Sequence, residues 1–306
     1  MRIVFAGTPA VAVPSLDALH DAGHDIVAVV TREDAPLGRK RVLTPSLVAA
    51  RASELGLPLV KANRLDDAVT ARIAELRPEL GVIVAYGGLV REPLLSTPRH
   101  GWINLHFSAL PAWRGAAPVQ RALINGDASI GVTVFQLVPA LDAGDVWTAA
   151  TETIGPDETA GQLLDRLSRS GTASVLEAVE RIAAGNAEPR PQQGAESYAH
   201  KLTLEDARLD WTKDAEQIYN RFRGVTPEPG AHTTVAGARF KIHAMGRPGP
   251  RTPALEPGEF GEADGVVLVG TATEPLVLER VQPAGKAAMA AADWWRGQRG
   301  RELRAE

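Results

Sequence analysis

The chain contains no cysteine. That excludes disulfide cross-links, thiolate metal ligands and a cysteine nucleophile together. It also lacks any long apolar run: nothing approaches the ~18–20 residues that span a bilayer. Residues 1–9 have neither the charged start nor the extended apolar core of a secretion signal, so a soluble, cytoplasmic protein is expected. Positive charge is in deficit, with 33 Lys+Arg against 37 Asp+Glu and a net charge of −4. Nucleic acid would have to be met by local patches, not by the surface as a whole. Arg39-Lys40-Arg41 is one such patch, and Arg296, Arg299, Arg301 and Arg304 form another; taken alone, clusters of this kind are more often solvated surface. Absent too are the Walker A loop, HExxH and GxSxG. Gly7-Thr8-Pro9 is not the GxGxxG fingerprint, which leaves a nucleotide-dependent oxidoreductase with little support.

What is present is ordinary globular material: 306 residues, 44% hydrophobic and 23% charged, long enough for two domains. The first half alternates strand-like and helix-like stretches. Strands are expected at 2–6, 25–30, 57–60, 80–85, 102–107 and 131–138, and helices from 14, over 45–55, 66–76 and 116–125, with a polar loop at 32–44. Such alternation predicts an α/β fold with a mostly parallel sheet and helices on both faces. Ligands of such sheets bind beyond the carboxyl ends of the strands. A long helix is expected within 158–184, and the Pro-, Gln- and Gly-rich stretch 186–194 reads as a linker. Beyond residue 206, an amphipathic helix at 215–223 precedes short β segments at 231–235, 239–244, 265–269 and 276–281, the texture of a small barrel or sandwich. The expected division is therefore 1–185, a linker at 186–205, and 206–306. There is no internal repeat.

Chemistry concentrates at Trp102-Ile103-Asn104-Leu105-His106-Phe107. Alternate side chains of a strand share a face, so Asn104 and His106 stand side by side near its carboxyl end. A second segment, Leu141-Asp142-Ala143-Gly144-Asp145, follows an apolar strand and offers two carboxylates. An amide N–H can stabilise a developing oxyanion, worth roughly 3–4 kcal/mol for one donor. A histidine can move protons near neutral pH, and a carboxylate can orient or charge it. The set suits transfer to an amine through a tetrahedral intermediate, with no metal required. Read without context, an Asn-x-His pair is more often ordinary hydrogen bonding at a sheet end, and Asp142 to Asp145 a turn. Trp113, Trp211, Trp294 and Trp295 read as packing residues.

At these residues the chain resembles the 10-formyltetrahydrofolate-dependent formyltransferases. Asn104-Leu105-His106-Phe107-Ser108-Ala109-Leu110-Pro111 is similar to their N-x-H-x-S-x-L-P signature, and Leu141 to Asp145 to their L-D-x-G-D loop. The opening Ile3-Val4-Phe5-Ala6-Gly7-Thr8-Pro9, the stretch Trp113-Arg114-Gly115-Ala116-Ala117-Pro118-Val119-Gln120, and in the second half Ala207-Arg208-Leu209-Asp210-Trp211 and Gln282-Pro283-Ala284-Gly285-Lys286 resemble the branch that acts on methionyl-tRNA. The resemblance implies a Rossmann-like formyltransferase domain followed by an OB-like β-barrel that binds tRNA. It implies 10-formyltetrahydrofolate as formyl donor, methionyl initiator tRNA as acceptor, and a monomer. Asn104, His106 and Asp142 match catalytic positions: the first two would stabilise the oxygen of the intermediate and Asp142 would support His106. Ser108, Ala109, Leu110 and Pro111 match a folate-binding stretch. Residues 31–46 resemble a loop that wedges into the acceptor stem, with Arg39 at its key position and Lys40 and Arg41 beside it, cations that would track phosphates.

The chain departs from the family pattern at Phe107, Ala109, Glu228 and Ala287, the first two flanking the expected site and the last two in the tRNA-facing half. A formyltransferase for a sugar-nucleotide amine would share the three catalytic positions without needing the basic loop. Glycinamide ribonucleotide formyltransferase is a one-domain enzyme. A silent RNA-binding relative would have no need to keep Asn104, His106 and Asp142 together.

Overall fold

The computed structural model describes residues 1–38, 40–185, 187–249, 252–298 and 302–306. In chain order the first half runs β1 (Arg2–Gly7), α1 (Val13–Asp21), β2 (Asp25–Thr31), β3 (Ala35–Leu37), β4 (Val42–Thr44), α2 (Leu47–Glu54), β5 (Leu59–Lys61), α3 (Asp67–Glu75), β6 (Leu80–Val84), β7 (Trp102–His106), β8 (Arg114–Gly115), α4 (Pro118–Asn125), β9 (Ser129–Gln136), β10 (Val146–Thr153) and α5 (Ala160–Ala184). The second runs β11 (Tyr198–Ala199), α6 (Ala215–Gly224), β12 (His232–Val235), β13 (Ala238–Gly246), β14 (Phe260–Ala263), β15 (Val266–Val269), β16 (Leu276–Pro283), β17 (Met289–Ala290) and α7 (Ala291–Arg296). The chain divides into two compact units. One comprises residues 1–118, 129–153 and 164–199, the other 119–128, 154–163 and 200–306.

The first unit is built on a seven-stranded sheet in the order β10-β9-β7-β6-β1-β2-β5. Five strands are parallel to one another, while β9 runs antiparallel to both β7 and β10, which returns β10 to the common direction. The chain winds outward from β1 in both directions, so the strand order reverses between β1 and β6, the place where open α/β sheets accept ligands. The central strands β1 and β6 are almost continuously apolar because both faces are covered. On one face Val4, Ala6, Val30, Ile73, Ile83 and Trp102 form a single cluster. On the other, Gly171 of α5 lies over Leu105 and Val132. Helix starts follow their capping chemistry: the side chains of Ser46 and Asp66 accept hydrogen bonds from the backbone N–H groups of Ala49 and Val69.

The longer strands and helices of the first half stand where the sequence predicts them, and the hairpin β3–β4, the two-residue β8 and the edge strand β10 are additions. Residues 32–44 are not a plain polar loop: β3 and β4 pair as an antiparallel hairpin that leaves Leu37, Val42 and Leu43 exposed. The edge strand β10 escapes sequence reading because only one of its eight residues is buried, so it carries no apolar alternation.

The second unit holds the antiparallel sheet β12-β13-β16-β15-β14, with β17 beside β16. It curls into the expected OB-like form, and the last residues bridge its two edges: Ala305 pairs with Val235 at one edge and Arg304 with Glu259 at the other. Its core gathers Phe240, Phe260 and Trp294, whose ring centroids lie 4.6 to 6.4 Å apart, together with Ile218, Tyr219 and Phe222 of α6. Strand β14 and helix α7 were not visible in the sequence; Gly261 and Glu262 weaken the strand pattern of the first. Trp211 and Trp294 are buried in this core, as packing residues. No described helix is long and apolar enough to cross a membrane.

Gly81 lies beneath the Trp102 indole, and a Cβ there would fall 2.1–2.7 Å from three ring atoms. Trp102 is fully buried and donates its indole N–H to the Leu94 carbonyl at 2.9 Å, so the ring has nowhere to move. Gly81→Ala is expected to destabilise the protein by about 1–3 kcal/mol through overpacking. Urea unfolding followed by tryptophan fluorescence measures this, and an unchanged midpoint would contradict the packing described.

Candidate active site

Strand β7 sits near the middle of the sheet, and His106 is its last residue. Its partner in register on β9 is Thr133, and on the β6 side the pairing ends one residue earlier, at Leu105 with Val84. The side chain is buried, with the ring of Phe135 at 6.3 Å in an edge-on arrangement. His106 Nε2 lies 2.9 Å from the carbonyl oxygen of Trp113. A carbonyl only accepts, so Nε2 carries the hydrogen and Nδ1 holds the free lone pair of the neutral ring. Nδ1 is the nitrogen that faces Asp142, at 3.9 Å from Oδ2.

Asp142 stands in the loop between β9 and β10. Its Oδ2 also accepts the backbone N–H of Gly115 at 2.8 Å. Its backbone is in the left-handed region, φ +44°, which is uncommon for a non-glycine residue although aspartate tolerates it better than most. Two residues on, a Cβ at Gly144 would lie 1.7 Å from the carbonyl oxygen of Gln136, so this position accepts nothing larger than glycine. The loop is thus pressed against the end of β9, and the second carboxylate, Asp145, is exposed.

Asn104 lies one pleat before His106, half-buried, on the same face of β7. No other described residue bonds its side-chain amide, which leaves two N–H donors for a ligand. Ser108 is buried and donates its hydroxyl to Ala112 O at 2.6 Å, closing the turn that follows β7, while Thr133 Oγ1 anchors Ser108 O at 2.7 Å. Leu110 and Pro111 are buried and Ala109 is exposed in this turn. The structure thus brings Asn104, His106 and Asp142 together with residues 108–111 beside them. Lys40 and Arg41 are exposed at the tip of the β3–β4 hairpin, and Arg39 lies outside the described residues. The hairpin leaves the carboxyl end of β2, the same edge of the sheet as His106, three strand spacings or about 14 Å along it.

Sequence reasoning missed the residues that hold this arrangement. They are Trp113, through its carbonyl, Thr133, and a group in the presumed linker. Segment 197–199 runs along the Trp113 loop: Trp113 N–H donates to Ser197 Oγ at 2.8 Å, Arg114 N–H to Ser197 O at 2.8 Å, and β11 pairs with β8. Gln192, Arg114 and Glu196 join the same set.

Burial pushes the His106 imidazole below the ordinary histidine range. The Asp142 carboxylate and the hydrogen bond to Trp113 O work in the opposite direction. The neutral ring therefore persists below pH 6.5, and folding stability falls as pH drops from 6.5, where the unfolded histidine gains a proton, towards the lower folded-state value. A 15N NMR titration should place the His106 midpoint below 6.5, with Nε2 protonated in the neutral ring. Asp142→Asn should lower it further. A rise in that variant would overturn the pairing.

Residues 1–179 match the family model described as formyl transferase, and residues 201–299 match the formyl transferase C-terminal domain. The chain is 60% identical over 301 residues to a methionyl-tRNA formyltransferase of Leifsonia xyli subsp. xyli, covering 98% of each chain. It is 57% identical over 297 residues to one of Clavibacter sepedonicus, covering 97% of each. Among solved structures it superposes on HypX from Aquifex aeolicus in complex with tetrahydrofolic acid, with a TM-score of 0.68 and 18% identity over 98% of this chain and 48% of that one. It also superposes on the sugar 3N-formyl transferase WlaRD, with a TM-score of 0.69 and 16% identity over 94% of this chain and 99% of that one. The two structures share the fold at distant sequence, whereas the sequence relatives share more than half their residues from end to end. On those two domain matches and that full-length identity, the chain belongs to the methionyl-tRNA formyltransferase family.

Proposed function

We propose that this chain transfers the formyl group of 10-formyltetrahydrofolate to the α-amino group of methionyl initiator tRNA, and that Asn104, His106 and Asp142 carry the reaction. The observation that carries the reading is the pairing of an unbonded Asn104 amide with a His106 whose basic nitrogen faces a carboxylate, in a chain of this family. In the reaction the formyl carbon loses its bond to N10 of the folate and gains one to the amine nitrogen. One proton leaves the amine and one arrives at N10. The Asn104 N–H donates to the formyl oxygen as it becomes an oxyanion, a contribution of roughly 3–4 kcal/mol. His106 Nδ1 takes the amine proton. The resulting imidazolium faces Asp142, which balances its charge, and its new N–H stabilises the same oxygen before the proton passes to N10.

Residues 108–111 form one wall of the folate site, a placement supported by their position directly after His106. The bound tetrahydrofolic acid of HypX, a protein of the same fold, supports the ligand class. Arg39, Lys40 and Arg41 bind the acceptor end of the tRNA; their exposure on a hairpin at the His106 edge of the sheet supports this for Lys40 and Arg41. The hairpin also exposes Leu37, Val42 and Leu43. In this reading residues 1–185 hold folate and chemistry, 186–205 connect, and 206–306 bind tRNA, with the protein acting as a monomer in the cytoplasm.

Purified protein should formylate methionyl initiator tRNA from 10-formyltetrahydrofolate and leave methionyl elongator tRNA unmodified. Transfer to neither, by folded and folate-competent protein, would favour a sugar-nucleotide amine as acceptor. His106→Ala and Asp142→Ala should each reduce turnover by about 10²–10⁴-fold with the fold retained by circular dichroism; near-normal turnover in either removes it from the mechanism. Arg39→Ala should raise KM for tRNA while KM for folate stays put, and an equal rise in both would argue against its contact.

A further inference from the structure

We propose that Gln192 is a positioning residue for formyl transfer: its side-chain amide clasps the Asp142 loop and sets the separation of Asp142 from His106. The inference rests on the roles proposed above for those two residues and adds one outside the stretches that carry the resemblance.

Gln192 Nε2 donates to the carbonyl oxygens of Asp142 at 2.7 Å and Gly144 at 2.9 Å. Its Oε1 accepts from Arg114 Nη2 at 2.6 Å and Nε at 3.2 Å. The orientation of the amide follows from chemistry, since a guanidinium only donates and the two carbonyls only accept. Every hydrogen of the amide nitrogen is committed to the loop. Arg114 is itself buried and is held from its other side by Glu196 Oε1 at 2.9 Å. The clasp therefore stands on a fixed base.

The geometry explains why such a clasp is needed. Asp142 keeps a left-handed backbone, φ +44°, that nothing in its own chemistry favours strongly, and Gln192 binds the carbonyl on one side of that residue's ψ bond. Released, the loop would relax, and Oδ2 would leave both Gly115 N–H and the His106 ring. Arg114 and Gly115 are adjacent, so Gln192 fixes the loop to the same two residues that Asp142 reaches with its side chain. Displacements of about 1 Å at a reacting group lower rates by about 10²-fold. Asp142 is the one charged side chain acting on His106 among the described residues. Weakening the pair therefore lets burial push the imidazole further down.

Gln192→Ala removes the clasp. Gln192→Glu keeps an acceptor for Arg114 but cannot donate to the loop, and serves if the alanine variant does not fold. With both substrates saturating, kcat should fall at least 10-fold in each, KM for folate and for methionyl-tRNA should stay within three-fold of wild type, and the acid limb of the kcat–pH profile should move to lower pH. A kcat within three-fold of wild type, a loss confined to KM, or a loss with the acid limb unmoved would each overturn the inference. A wild-type-like Gln192→Ala beside an inactive His106→Ala removes only this proposal. An active His106→Ala removes the catalytic reading beneath it.

Discussion

The site depends on one backbone carbonyl. By accepting from His106 Nε2, Trp113 O decides which nitrogen of a buried imidazole is basic, and so decides where a proton can be taken up. Everything else about the arrangement follows from that choice. The lone pair is aimed at Asp142, burial keeps the ring neutral, and the carboxylate makes the charged form tolerable when it appears. A histidine with both nitrogens solvated would hold a proton more readily and do less with it. One sealed without a carboxylate would scarcely accept a proton at all.

Around this choice the fold separates two tasks. The sheet supplies rigidity: His106 and Asn104 sit on a central strand whose two neighbours are in register and whose faces are covered by α3 and α5. Placement of the groups that meet them is left to loops, those after β7 and β9, and loops need tying down. The ties are polar and long-range. Thr133 holds the turn at Ser108, Gln192 holds Asp142 and Gly144, and Ser197 holds Trp113. Such bonds are strong where water is excluded, and this is the part of the molecule where small displacements matter to chemistry.

How much of this the sequence disclosed depends on the range of the interaction. Asn104 and His106 were legible because a strand alternates its side chains, a rule that spans two residues. The alternation of strand-like and helix-like stretches in the first half likewise announced a mostly parallel sheet. Asp142 could be recognised as a loop residue and, by resemblance, as a functional one, yet nothing local said that its backbone would be left-handed or that Gly115 would meet it. Gln192 was invisible. It lies in a polar stretch that reads as a connector, and its partners are 48, 50 and 78 residues away. In the second unit the apolar strands were legible, while β14 was not, and the bridging of both sheet edges by Arg304 and Ala305 is a closure that periodicity cannot express.

The first unit is assembled from three separated stretches of chain, and the last of them carries Gln192 and Ser197. A ribosome that has released residues 1–153 has produced all seven strands of the sheet, with Asn104, His106 and Asp142 already among them. The residues that clamp the two loops emerge about forty positions later. Vectorial synthesis thus separates the birth of the fold from the birth of the proposed site: a nascent chain can hold all its sheet strands while the loops at Trp113 and Asp142 still lack the hydrogen bonds from Ser197 and Gln192.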